Sequence, residues 1–334
     1  MLSPVNADPE HFASNTPHSA FRVPRFARRA VIDIGTNSVK LLVADVAADA
    51  VEPVWEGSEQ TRLGRGFYED HRLRPEAIAD TAKAVAHFTQ TARAQGATHL
   101  RIIATSAARD AVNAGELLAA VHAASGLPVE VISGEQEADW AFRGVLTDPA
   151  FGQRPLLILD VGGGSTEFIL GHGGHAVFRD SFKLGTVRLL EAARLADPPT
   201  AAELAAMRTQ LRAFLDQEVR PKLTPHLARL SPAGPGLVGT GGTTSILARM
   251  ELQLTDYDRA RIEATRFSAD RLRWHVERLW RLPLAERRAL PSVPANRADV
   301  ILFGVVIYEA AMAAFHLEEL RVSTRGLRFA AVLP

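Results

Sequence analysis

The sequence predicts an α/β chain built from two related halves that face one another across a cleft, and three observations carry that expectation. Residues 156–171, LLILDVGGGSTEFILG, set two short apolar runs on either side of an aspartate, three glycines, a hydroxyl pair and a glutamate. That is the pattern of strand, glycine turn and returning strand. Residues 30–46, AVIDIGTNSVKLLVADV, repeat it, with Asp33, Gly35, Ser38 and Leu41 standing where the later copy has Asp160, Gly162, Ser165 and Phe168. The offset of 127 residues, Asp33 to Asp160, suits half of a duplicated fold. Third, helical periodicities alternate with short apolar runs through the remaining chain.

Composition narrows the class. With 334 residues, 47% of them hydrophobic, the chain can fill two domain cores. A formal net charge of +0 supplies no global field for nucleic acid or an anionic membrane, so an anionic substrate needs a local basic groove. The absence of cysteine excludes disulfides, thiolate metal sites and cysteine nucleophiles, and fits a reducing cytoplasm. No apolar run approaches the ~20 residues of a membrane span. Residues 1–29 lack an apolar h-region, end in the basic residues Arg25, Arg28 and Arg29, and read as a flexible leader.

The elements follow in order. Residues 51–67 continue as strand and loop carrying Arg62, Gly64, Arg65 and Gly66, either a phosphate contact or a solvated turn. Pro75 opens a helix with Ile78, Ala82, Val85 and Thr89 at helical spacing and Gly96 as its stop. Residues 100–105 form a strand that enters a helix through Ser106, Arg109 and Asp110. A cation there opposes the helix dipole, which favours Arg109 gripping an anion over a simple ion pair to Asp110 or Glu116. Residues 127–132 are a strand, and a helix starts at Ser133-Gly134-Glu135. Glu135 there complements the helix dipole, whereas Glu137 gains a further role only if this helix start faces the cleft.

In the second half, the GHGGH run 171–175 is a hairpin tip and not a metal site. Residues 181–191 pass from strand to helix through Gly185 and bring Lys183 and Arg188 towards the second hairpin. Thr200 and Glu203 make a capping box for a helix reaching about Val219, followed by a Pro-rich linker at 223–235. Residues 236–250, GLVGTGGTTSILARM, form a third glycine turn, from strand to helix, whose N–H groups and Thr240, Thr243 and Thr244 suit a phosphate or nucleotide. Residues 268–280 and 296–315 are helices, with the tryptophans and Phe303 as core. A last strand at 320–323 and a helix at 324–333 close the chain, the helix packing back on the first half.

As chemistry, two glycine turns let backbone N–H groups approach an anion, and Asp160 and Glu167 at the mouth of one suit a divalent cation beside a phosphate chain. No Gly-Lys-Ser/Thr follows, so neither turn is a Walker loop. In chain order, AVIDIGTNSVKLLVADV, ATSAARDAVNAGELL, VISGEQEADWAFRGV, LLILDVGGGSTEFILG, GLVGTGGTTSILARM and RVSTRGLRFAAVL resemble the exopolyphosphatase / guanosine pentaphosphate phosphatase (Ppx/GppA) family. That family lies within the acetate kinase, sugar kinase, Hsp70 and actin superfamily. The resemblance spans residues 30–333, with SGEQEA followed by DVGGGSTE as its most specific part. It implies two duplicated RNase H-like (actin-like ATPase) domains with an interdomain cleft. Their expected bounds are 30–138 plus 317–334 for the N-terminal domain and 139–316 for the C-terminal one.

The same resemblance implies site residues. The catalytic glutamate falls on Glu137, and the metal carboxylates on Asp160 and Glu167 with Asp33 as a further partner. Phosphate-binding positions are Gly35, Thr36, Asn37 and Ser38, then Lys40 and Arg109, then Gly162, Gly163, Gly164 and Ser165. Gly241, Gly242 and Thr243 of the third turn join them on the residue reading. Implied cofactors are Mg²⁺, with Mn²⁺ as a substitute, and a monovalent cation. The expected state is a cytoplasmic homodimer acting on inorganic polyphosphate or guanosine pentaphosphate (pppGpp), with neither nucleic acid nor membrane as partner. Larger members add a C-terminal helical HD-type region, so the chain resembles the short two-domain form, and Thr324-Arg325 before Gly-Leu-Arg departs from the family pattern. The expected reaction is hydrolysis of a terminal phosphoanhydride, with Glu137 as general base. A pppGpp 5′-phosphohydrolase, an ATP-dependent small-molecule kinase and a non-catalytic actin-like assembly protein are the alternatives.

Overall fold

The computed structural model describes residues 26–48, 50–152, 154–230 and 234–334. Most of the expected 1–29 leader lies outside the described residues, and its last three already form strand, since β1 spans Ala27–Ile34. The first sheet continues with β2 (Val39–Ala47), β3 (Ala50–Glu59), β4 (His99–Ala104) and β5 (Val129–Val131). Its order is β3-β2-β1-β4-β5, with β2 antiparallel to β1 and β4 parallel to it. The second sheet comprises β6 (Leu156–Val161), β7 (Thr166–His172), β8 (His175–Phe182), β9 (Gly236–Thr240), β10 (Arg266–Ser268) and β11 (Glu319–Val322). Read from the far edge, β8-β7-β6-β9-β11 repeats the first sheet's order and directions, with β10 added at the edge. The duplication expected from two hairpins is therefore a duplication of whole sheets.

The middles of the central strands are apolar on both faces, as helix-covered sheets require, and the aspartates Asp33 and Asp160 come at their carboxyl ends. Val31, Ile32, Leu157, Ile158 and Leu159 are all inaccessible to solvent. The helix Gly134–Leu146 lies between the two halves. Its Trp140 packs with Val31, Leu42 and Ala44 of the first sheet, while Ala141, Phe142 and Val145 pack with Ile158, Ile169 and Val238 of the second. Contact is closest at Gly144, where an added Cβ would lie 1.9 Å from the Gly326 carbonyl oxygen.

Three expectations need correction, and one residue left without a role gains one. The chain's tail is split: β11 pairs with β9 (Leu320↔Leu237) in the second sheet, and only the helix Leu327–Ala331 packs against the first. The 223–235 linker is helical over Arg220–Leu227, because Leu211, Leu215, Val219 and Leu223 continue one buried stripe past the prolines; residues 231–233 lie outside the described ones. Trp280 and Phe303 are core, but Trp274 is 44% exposed, with Arg271 stacked 4.1 Å from its ring centre. Arg325 donates to the Thr147 carbonyl at 2.9 Å and faces Glu263 at 3.7 Å, so this departure from the family pattern is a packing contact.

Candidate functional site

Each half places its glycine hairpin at the carboxyl end of its central strand, and the two turns close alike. Gly35 donates to the Ser38 carbonyl at 3.0 Å, and Gly162 to the Ser165 carbonyl at 2.9 Å. Neither these glycines nor Gly163 and Gly164 have positive φ, so left-handed backbone is not what selects them. Space is the reason. A Cβ on Gly163 would come within 3.1 Å of Thr36 Cβ, and one on Gly164 within 2.6 Å of Ser106 Oγ and 2.8 Å of Thr36 Oγ1. The hairpins meet across the cleft. Behind the second, the N-terminal N–H groups of the helix Thr186–Ala192 hold its carbonyls, Thr186 to Gly162 at 3.0 Å and Val187 to Gly163 at 2.8 Å. Carbonyls thus turn to the helix, and the hairpin N–H groups other than those of Gly35 and Gly162, which close their own turns, are left for an anion.

Between the halves lies a cavity of about 580 Å³. Of the residues proposed from sequence it is lined by Asp33, Gly35 to Ser38, Lys40, Glu137, Asp160, Gly162 to Ser165, Glu167, Thr240, Gly241, Gly242 and Thr243, whereas Arg109, Thr244, Lys183 and Arg188 are outside the lining. The duplicated register has one telling asymmetry. Asp33 stands opposite Lys40 across β1 and β2, whereas Asp160 stands opposite Glu167 across β6 and β7. One half therefore presents a charge pair and the other two carboxylates.

Glu137 reaches this cavity because Ser133 caps its helix, accepting the Gln136 N–H at 3.1 Å, which fixes the first turn. Burial pushes the Glu137 carboxyl up to about 7, against the opposing pull of Arg109, with Asp33 and Asp160 raising it further. Asp160 is also raised, by burial and by Asp33, with Lys40 working against both. Glu167 is held well above the usual carboxylate range by burial, Glu137 and Asp160, even though Ser165 and Ser181 donate to its Oε1 at 2.8 and 2.7 Å. Asp33 is raised by burial, and its Oδ1 is buried without a donor among the described residues. Four carboxylates thus share one poorly solvated space, a field that a cation relieves.

Among the described residues no three His, Asp or Glu side chains converge as a preformed metal cage. The expected three-carboxylate set is therefore a neighbourhood and not a coordination shell. One or two carboxylates with substrate oxygens and water nevertheless fit Mg²⁺, which rarely takes an all-protein cage.

Arg109 is the displaced prediction. Its Nη1 donates to Glu137 Oε2 at 3.0 Å and to the Ile132 carbonyl at 3.1 Å, so it stands behind the glutamate and not in the cavity. Sequence reasoning missed Arg297 and Arg328, both in the lining. Arg297 donates to Ser38 Oγ at 2.8 Å, and burial lowers its guanidinium to about 10, still cationic at neutral pH. Arg328 donates to the Leu41 carbonyl at 3.0 Å and lies 3.3 Å from Glu56. Arg328 lies inside the last family motif, as the arginine of its Gly-Leu-Arg, a signal that was available; Arg297 carried none. Of the 62–66 loop, Arg62 pairs with Asp299 at 2.8 Å and Gly64 donates to the Thr36 carbonyl at 2.7 Å, so it buttresses the first hairpin.

Residues 42–332 match the model of the Ppx/GppA phosphatase family. The chain is 36% identical over 292 residues to exopolyphosphatase 2 of Mycobacterium tuberculosis, covering 84% of this chain and 89% of that one. Among solved structures, the Aquifex aeolicus Ppx/GppA family member superposes with a TM-score of 0.74 at 29% identity, covering 92% of this chain and 96% of that one. An exopolyphosphatase from Cytophaga hutchinsonii gives 0.80 at 25% identity, with 91% and 96% covered.

Proposed function

We propose that this chain, which belongs to the Ppx/GppA phosphatase family, hydrolyses the terminal phosphoanhydride of inorganic polyphosphate and releases orthophosphate. The observation that carries the reading is Glu137, pushed up to about 7 at a cavity that both glycine hairpins line. A carboxylate of that basicity accepts a water proton near neutral pH. Water oxygen bonds to the terminal phosphorus, the bridging P–O bond breaks with its electron pair staying on the shortened chain, and Glu137 takes the water proton. Hairpin N–H groups, Lys40 and Arg297 hold the equatorial oxygens, and in a loose transition state such positioning dominates. Asp160 and Glu167, with Asp33 nearby, would hold a divalent cation, Mg²⁺ or Mn²⁺, which when bound neutralises phosphate charge.

The test is phosphate release from polyphosphate by Glu137→Gln, expected to fall about 10²–10⁴-fold with binding retained. Near-normal release would remove Glu137 from the role. Ile246, Val300 and Ile301 give the cavity an apolar side that a nucleobase would fit, which keeps pppGpp as a second reading; rates on both substrates side by side decide. The proposal extends to a cytoplasmic homodimer, tested by sedimentation and fractionation. No described helix is long and apolar enough to cross a membrane.

A further inference from the structure

At one side of the cavity the two halves exchange guanidinium groups. Arg62, just after β3 in the first half, reaches Asp299 Oδ2 at 2.8 Å and the Asn296 carbonyl at 3.4 Å in the second. In the opposite direction, Arg297 of the second half donates to Ser38 Oγ of the first. The acceptors of Arg62 thus flank Arg297 in sequence. Asp299 is the main charge stabilising Arg297 as a cation, and Arg62 is the charge opposing it. Yet among the described residues Asp299 pairs with Arg62 and not with Arg297. Its second oxygen, Oδ1, is buried with no donor among the described residues. This carboxylate therefore has unused capacity beside two competing arginines.

We propose that Arg62 and Asp299 form a closure-dependent switch on Arg297. With the halves together, Arg62 occupies Asp299 and leaves Arg297, held only through one donor to Ser38, unmatched by a carboxylate and open to a substrate phosphate; with the halves apart, Asp299 turns to Arg297 and withholds it. A guanidinium already matched by a carboxylate gains less from a phosphate oxygen than a free one, so the exchange changes anion affinity. Coupling is reciprocal: a phosphate that engages Arg297 releases Asp299 to Arg62 and favours closure. Arg62 does not line the cavity, so it is a positioning residue. Its own N–H donates to the Asn37 carbonyl at 3.1 Å, which ties the switch to the first hairpin. The inference rests on the reading of the cavity as a polyphosphate site.

The experiment compares the full-length chain with Arg62→Ala, Asp299→Asn and the double variant. Tripolyphosphate binding is measured by calorimetry, KM and kcat on polyphosphate separately, and Tm serves as the folding control. Arg62→Ala is expected to weaken binding and raise KM about tenfold with a smaller effect on kcat, the scale of one charge-assisted contact. Adding Asp299→Asn removes the competitor and is expected to bring both back to within about threefold of wild type. A double variant as weak as Arg62→Ala, with Tm preserved, overturns the switch and leaves a plain structural ion pair. An Arg62→Ala variant that binds like wild type overturns it as well. A wild-type chain that neither binds tripolyphosphate nor hydrolyses polyphosphate overturns the underlying reading, and the switch falls with it.

Discussion

Replacing Arg109 by glutamine separates two roles that one arginine can play beside a phosphate site. Arg109 Nη1 lies 3.0 Å from Glu137 Oε2, and it is the chief influence holding the glutamate down against burial. An opposite charge at this range typically lowers a carboxylate by about 1–3 pH units, so its loss should raise Glu137 by about 1–2. The sign follows from the base being active when deprotonated: activity rises with pH through the Glu137 ionisation, and the variant's rise moves to higher pH. With the wild-type group at about 7, roughly half is ionised at pH 7. A rise of about 1.5 units leaves about 3% ionised, a loss of about 15-fold at pH 7 that recovers by about pH 9.5. The assay is orthophosphate release from polyphosphate across pH 6–10, read as kcat/KM so that it reports the free enzyme. A profile lowered evenly at every pH, with its acidic limb unmoved, would refute the argument and return Arg109 to the substrate-gripping role that sequence suggested.

Three further outcomes follow from the geometry. Gly164→Ala puts a methyl within 2.6 Å of Ser106 Oγ and 2.7 Å of Tyr68 Oη, so it should part the hairpins. Turnover should fall about 10²-fold while Tm stays within a few degrees; wild-type kcat would show that hairpin contact is dispensable. Gly144→Ala meets backbone at 1.9 Å, which no rotamer relieves, and should cost about 3 kcal/mol or more in urea unfolding. An unchanged unfolding midpoint would mean that the Gly326 turn can yield. Ser181→Ala removes the 2.7 Å donor to Glu167, raises its proton affinity further, and should shift Mg²⁺ activation about tenfold to higher concentration. An activation curve identical to wild type would take Glu167 out of cation binding.

Sequence by itself determined the local pieces. Apolar run, glycine turn and apolar run specify a hairpin wherever they occur, and two copies 127 residues apart specify a repeated unit, because turn chemistry and strand periodicity act over a few neighbours. The Ser133 cap likewise places Glu137 in a first helical turn without outside help. Tertiary structure decided which charges meet. Arg297 finds Ser38 across 259 residues and Arg328 finds the Leu41 carbonyl across 287, and nothing along the chain marks either pairing. Packing also assigned β11 to the second sheet and turned Arg109 behind Glu137 instead of into the cavity. The glycines show the division at one position. Their presence in the turns was legible, but their reason, the approach of the opposite hairpin to Gly163 and Gly164, exists only once the two halves are brought together.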